Sequence, residues 1–139
     1  MDDGEAPEQA AVLARLDRLN ALIGDRDPAI VDDLWSGPGM LFVGSEPNEI
    51  ARTREEFAAL MASLFAAPFR LAFAWDSRVV SLHGDIAWVF AECHVVFTRD
   101  DAVTRTPYRM TCLFQRIDGR WHWRQYFGAE PDFGAEPVD

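Results

Sequence analysis

The feature that most constrains this chain is the run from residue 69 to 127, where four long apolar stretches alternate with very short polar breaks. "FRLAFAWDSRVVSL" is followed by "HGD", then "IAWVFAECHVVFT", "RDDAV", "RTPYRMTCLFQR", "IDG" and "RWHWRQYF". Stretches rich in aromatic and β-branched residues, joined by such turns, fold back on their neighbours and predict an antiparallel meander. A sheet of this size needs a second layer, and the first half of the chain reads as helices. In "PEQAAVLARLDRLNALIG", Val12, Leu13, Leu16, Leu19, Leu22 and Ile23 recur at threes and fours, with Pro7 near the start and Gly24 as the stop. Asp27 as N-cap and Pro28 at the first helical position open a short second helix ending near Trp35. "GPG" breaks the chain before a short strand, "MLFVG", and a capping box from Thr53 to Glu56 opens a third helix through Phe57, Leu60, Met61, Leu64 and Phe65. Helices first and a curved antiparallel sheet second is an α+β arrangement. One domain is expected over residues 1–131, with a mobile tail at 132–139 where "FGAEPD" is repeated as "FGAEPV".

The charge narrows the partners. A formal charge of −10 and a pI of about 4.6 argue against nucleic acid and anionic membrane, both of which need a basic patch. No apolar run approaches the roughly 20 residues that span a bilayer, and "MDDGEAPEQ" is acidic where a signal peptide is basic, so a cytoplasmic protein is expected. Cys93 and Cys112 lack metal-site spacing and read as small buried hydrophobes. A single Glu-x-His does not make a metal site, and no Gly-rich phosphate loop follows a strand. Neither a metal nor a cofactor is expected.

The turns give an estimate of register. A loop centred near Asp101 and Ala102 pairs His94 with Arg109, Glu92 with Thr111 and Phe90 with Leu113. A three-residue "IDG" turn with Gly119 as bulge residue then puts Thr111 opposite Gln125 and Arg109 opposite Phe127. A two-residue "DG" turn would shift the last strand by one and reverse its faces. In the three-residue register one face carries Trp88, Phe90, Glu92, His94, Arg109, Thr111, Leu113, Trp121, Trp123, Gln125 and Phe127. The other carries Val89, Ala91, Cys93, Val95, Phe97, Tyr108, Met110, Cys112, Phe114 and Tyr126, and the dimer contact is expected on Val95, Phe97, Tyr108, Met110, Cys112 and Phe114. Both are apolar, so helices are expected to cover the first and a second copy of the chain the second.

Polar groups on the first face sit among large aromatics, and burying charge is costly unless it is paired or used. Two readings remain open: a satisfied Glu–Arg–His network in the core, or an apolar pocket with a few convergent polar groups.

"YRMTCLFQRIDGRWHWRQYFGAEP", with its Arg-x-Thr strand, "DG" turn and Trp-led strand, resembles the NTF2-like superfamily in its SnoaL-like and ketosteroid-isomerase-like branch. "GDIAWVFAE" resembles the preceding strand, and the order of helices and "MLFVG" extends the likeness over residues 8 to 131. The resemblance implies a cone: a curved sheet wrapped on helices, a ligand pocket at the open end, and homodimers through the outer sheet face. Many relatives carry a late histidine in a pattern like Trp-x-Ile-x-His-x-His, whereas the corresponding positions here are Trp121, Trp123, Gln125 and Phe127.

Two functions follow. The first is a cofactor-free isomerase, dehydratase or cyclase acting on a small apolar molecule. Glu92 or His94 would be its base and Arg109 or Thr111 its donor, with Gln125, Trp88, Trp123 and Phe127 lining the ligand; Asp76 is a weaker base candidate. The second is a non-catalytic domain that binds a ligand or dimerises, Arg109 orienting a carboxylate or the cluster holding the strands in register.

Overall fold

Helix α1 (Glu5–Gly24) buries Val12, Leu16, Leu19, Leu22 and Ile23 along one stripe, as the threes-and-fours spacing requires. In the computed structural model, which describes residues 5–131, it is followed by α2 (Ile30–Leu34), β1 (Leu41–Val43), β2 (Ile50–Ala51), α3 (Arg54–Ala66), β3 (Arg70–His83), β4 (Ile86–Arg99), β5 (Ala102–Ile117) and β6 (Arg120–Ala129). The tail expected at 132–139 lies outside the described residues. No described helix is long and apolar enough to cross a membrane.

Local signals explain the helix starts. Thr53 accepts a hydrogen bond from the Glu56 amide, while the Glu56 carboxylate reaches back to the Arg52 amide, a capping box displaced by one residue. The Asp27 carboxylate accepts from the Ala29 amide in the preceding turn, but α2 starts two residues later than expected, at Ile30, with Ala29 as N-cap and no side-chain cap. Arg15 and Arg18 of α1 both approach Asp33 of α2, which fixes the two helices against each other.

The sheet has six strands in the order β2-β1-β6-β5-β4-β3. β3 to β6 form the antiparallel meander, but β1 runs parallel to β6, so the sheet is mixed rather than wholly antiparallel. Edge strand β3 is tied to α1 by Asn20, whose side chain donates to the Phe73 carbonyl and accepts from the Phe73 amide. That satisfies backbone groups an edge strand would otherwise leave bare.

The registers differ from the sequence estimate in two ways. β4 and β5 are joined by a two-residue turn, so Glu92 faces Arg109 and Phe90 faces Thr111. This is a slide of two residues, which leaves each side chain on its expected face. At β5–β6 the turn is Asp118-Gly119, both at positive φ (53° and 78°), a type I′ hairpin that suits the sheet's twist. The three-residue reading is thereby replaced, and Trp123 comes opposite Phe114. A bulge follows, since Leu113 pairs with Gln125 while Phe114 pairs with Trp123. Trp121 and Trp123 therefore change faces, and beyond the bulge Gln125 and Phe127 return to the face expected for them.

The helices, moreover, cover the face opposite to the one expected. Val95, Tyr108, Met110, Cys112 and Phe114, expected to meet a second subunit, pack inward with Trp121, Trp123 and Tyr126 against the helices. Trp88, Phe90 and Phe127 point outward and are 42%, 41% and 46% exposed. The physical reason is volume. The cone's concave side holds Phe57, Met61 and the α1 stripe, and the face with small Ala87, Ala91 and Cys93 interleaved among aromatics can close on them.

Candidate functional site

The concave face does not fill completely. At its open end lies a cavity of about 230 Å³, walled by Phe42 of β1, Met61 and Leu64 of α3, and Phe73, Val95 and Phe97 of the sheet. A small chamber of about 20 Å³ continues it inward past Ile30 and Phe57. The polar groups on its wall are few: Tyr108, Tyr126, Ser45, Glu46, Glu49 and Glu130.

Tyr108 and Tyr126 are the chain's two tyrosines, and their hydroxyls are hydrogen-bonded to each other at 2.7 Å. Both are more than nine-tenths buried. Burial raises both phenols well above the ordinary tyrosine value, so each stays a neutral O–H at any physiological pH. Two hydroxyls carry two protons but share one bond. Among the described residues the second proton has no protein acceptor.

Close approach of backbone makes this arrangement possible. Tyr108 lies across β6 with its hydroxyl over Gly128, where any Cβ would coincide with the phenol oxygen. Phe42 stacks on Tyr126 with centroids 4.6 Å apart, and Phe73 packs on Tyr108 at 5.6 Å. At the mouth, the turn after β1 closes with the Gly44 amide donating to the Glu49 carbonyl and the Glu46 amide donating to Glu49 Oε1. Gly44 is needed there, because a Cβ would lie 2.7 Å from that oxygen. The carboxylate of Glu49 is thus held by one oxygen, and its charge reaches far enough to act on Tyr108.

The residues expected from sequence lie elsewhere, with one exception. Glu92, Arg109, Thr111, Trp88 and Phe127 are exposed on the outer face, and His94 and Gln125 are half-buried there. Glu92 and Arg109 are direct cross-strand partners, yet no ion pair joins them among the described residues. His94 Nδ1 instead approaches Asp76 Oδ2 at 2.8 Å without hydrogen-bond alignment, Asp76 lying where the β3–β4 register shifts. No charged residue is buried among those described, so the expected core network of Glu92, His94 and Arg109 is corrected to a solvent-facing row. A shallow outer depression gathers Phe90, Arg109, Thr111 and Phe127. Trp123 is the exception: it is fully buried on the concave side, though it packs on Phe114 rather than on the cavity.

Sequence reasoning missed Tyr108, Tyr126, Gly128 and Glu49. A signal was present, since Tyr108 shares strand parity with Met110, Cys112 and Phe114. It was assigned to the wrong side of the sheet. Among the described residues no group of three or more His, Cys, Asp or Glu is arranged to hold a metal ion.

A curved mixed sheet closed on three helices, with a cavity at its open end, defines a cone-shaped α+β domain. The SnoaL-like domain family model matches residues 12–129, and the chain belongs to that family, within the NTF2-like fold. Solved structures agree on the fold. An NTF2-like superfamily protein from Salmonella enterica is 16% identical with a TM-score of 0.79, covering 95% of this chain and 96% of that one. An NTF2-like protein with a cystatin-like fold from Novosphingobium aromaticivorans is 19% identical with a TM-score of 0.75, covering 94% and 86%. A protein from Catenulispora acidiphila in complex with S-DNPA is 16% identical with a TM-score of 0.77, covering 90% and 94%. No curated protein matches the chain.

Proposed function

We propose that the cone cavity binds a small, largely apolar molecule bearing a carbonyl oxygen, and moves a proton at the carbon beside it. The observation that carries this reading is the buried Tyr108–Tyr126 pair, with one O–H proton left over on a wall whose other polar side chains are Ser45, Glu46, Glu49 and Glu130. A ligand oxygen there would accept that proton's hydrogen bond. Glu49, whose Oε2 has no hydrogen bond among the described residues, is the base. It takes the proton from carbon, the C–H electron pair moves into an enolate, and the negative oxygen is held by the phenols. Glu49 returning that proton at a second, conjugated carbon gives an isomer; giving it to a β-hydroxyl, which leaves as water, gives a dehydration; giving it to the oxygen of a second carbonyl as the enolate carbon attacks gives a cyclisation. This reading replaces Glu92 and His94 as the acid–base groups, because the sheet separates them from the cavity. The S-DNPA complex of the Catenulispora acidiphila protein is a precedent for a bound ligand in this fold.

The cavity is below the roughly 300–1,000 Å³ typical of ligand sites, so the substrate has one or two rings. The test is hydrogen–deuterium exchange of 2-tetralone in D₂O, followed by NMR. Saturable acceleration that Glu49→Gln abolishes supports catalysis. Binding without acceleration favours the alternative, a non-catalytic ligand-binding domain.

A second reading concerns the outer face, where Val79, Phe90, Thr111, Phe127 and Val43 form one row across the sheet and Trp88, Leu113, Gln125 and Leu41 the next. Exposed apolar rows of this kind favour a homodimer through that face, opposite to the side expected from sequence.

A further inference from the structure

We infer that the ligand carries a protonated amine at its solvent-facing end, opposite the oxygen held by the tyrosines; this rests on the reading of the cavity as the ligand site. The wall includes Glu46, Glu49 and Glu130 and no basic residue at all. Elsewhere five carboxylates are paired. Asp17, Asp32, Asp33, Asp85 and Glu8 each lie against an arginine, whereas the three cavity glutamates have no cationic partner among the described residues.

All 13 of the chain's Lys and Arg residues are arginine; eight serve those pairs, backbone carbonyls (Arg15, Arg26, Arg70) or the Gln115 side-chain oxygen (Arg124), and the cavity wall includes none of the 13. Glu49 is held by the Glu46 amide as the base, and the carboxylates of Glu46 and Glu130 are the further negative charges on the same wall. Ser45 Oγ lies 3.5 Å from Glu130 Oε1 and adds a hydroxyl beside them.

The rim and the floor point to a ligand independently. The floor holds a nine-tenths-buried phenol pair with one proton unpartnered among the described residues, which calls for an acceptor oxygen. The rim repels an anion and attracts a cation, so a carboxylate- or phosphate-bearing substrate is disfavoured at the same entrance. A molecule with a carbonyl at one end, an apolar ring between and an ammonium at the other satisfies both ends.

The experiment compares three probes that share a ring and a ketone: 4-acetylbenzylamine, 4-acetylbenzyl alcohol and 4-acetylbenzoate, titrated at neutral pH and low salt with ligand-observed NMR. The ammonium probe should bind on the order of tenfold more tightly than the benzoate, with the alcohol between, since each exposed charge contact adds only a small factor. Added salt should narrow the spread. The double substitution Glu46→Gln, Glu130→Gln should bring the ammonium probe to the alcohol's Kd. Equal Kd values for the three, or a tighter benzoate, overturn the charge assignment while leaving the cavity reading in place. Failure of all three to bind overturns both.

Discussion

Phe114 and Trp123 face each other across β5 and β6 on the concave side, with ring centroids 4.4 Å apart and both side chains fully buried. This contact depends on the two-residue turn at Asp118-Gly119, since a turn one residue longer would put Trp123 on the outer face. Truncating Trp123 to alanine should cost about 3–5 kcal/mol, a large part of a small domain's stability. Chemical denaturation measures it. A midpoint unchanged from the parent would contradict the register.

Gly128→Ala should be disproportionately damaging for so small a change. Its Cβ would occupy the position of the Tyr108 hydroxyl, forcing the ring out of its seat. Overpacking of this kind costs about 1–3 kcal/mol. The same variant should weaken binding of 4-acetylbenzyl alcohol more than a stability-matched core variant such as Met110→Ala does.

The tyrosine pair makes the alkaline limb of stability predictable. Only these two residues contribute phenolate absorbance, and burial raises both in the folded state. A group whose folded pKa lies above its unfolded one contributes its full share below the unfolded value, about 10 for tyrosine, and loses it as pH climbs further. Absorbance at the phenolate band should therefore stay flat through pH 10 and rise together with unfolding. Independent titration of one phenol near pH 10 in the folded protein would contradict the buried pair.

Burial also quiets the thiols. Cys93 is pushed up to about 12, by desolvation first and the nearby Asp76 charge second, and Cys112 is raised by its complete burial. Neither should react with a disulfide reagent at pH 8 within the time that a denatured sample reacts completely. Fast labelling of the native chain would show that the concave face opens.

Arg109→Met tests the outer face. Were Arg109 buried against Glu92, losing it would strand a charge and cost several kcal/mol. Both are exposed, so the melting curve should shift by no more than about 0.5 kcal/mol. Phe90→Glu on the same face should convert a dimer to monomer in light scattering without unfolding it. A parent chain that is already monomeric at micromolar concentration would remove the dimer proposal.

The sequence by itself determined the elements and their order. Helix α1 could be read from its apolar spacing, α3 from Thr53 and Glu56, and the meander from four β-prone stretches with short breaks. These are local properties, set by the period of the side chains and by a few capping and turn residues. Strand parity was also legible: Glu92, Arg109 and Thr111 do share a face, and Tyr108 and Met110 share the other. Only the tertiary structure decided which face the helices cover. Parity is indifferent to direction, and one residue more or less in the turn at Asp118, followed by a bulge at Arg124, reverses part of β6 without leaving a mark in composition. The cavity lay further out of reach. Phe42, Glu49, Tyr108 and Glu130 come from four separate segments, and Tyr108 takes its place on the wall because Gly128 carries no Cβ to meet its hydroxyl. No local pattern records a void, since it is a property of how distant surfaces fail to meet.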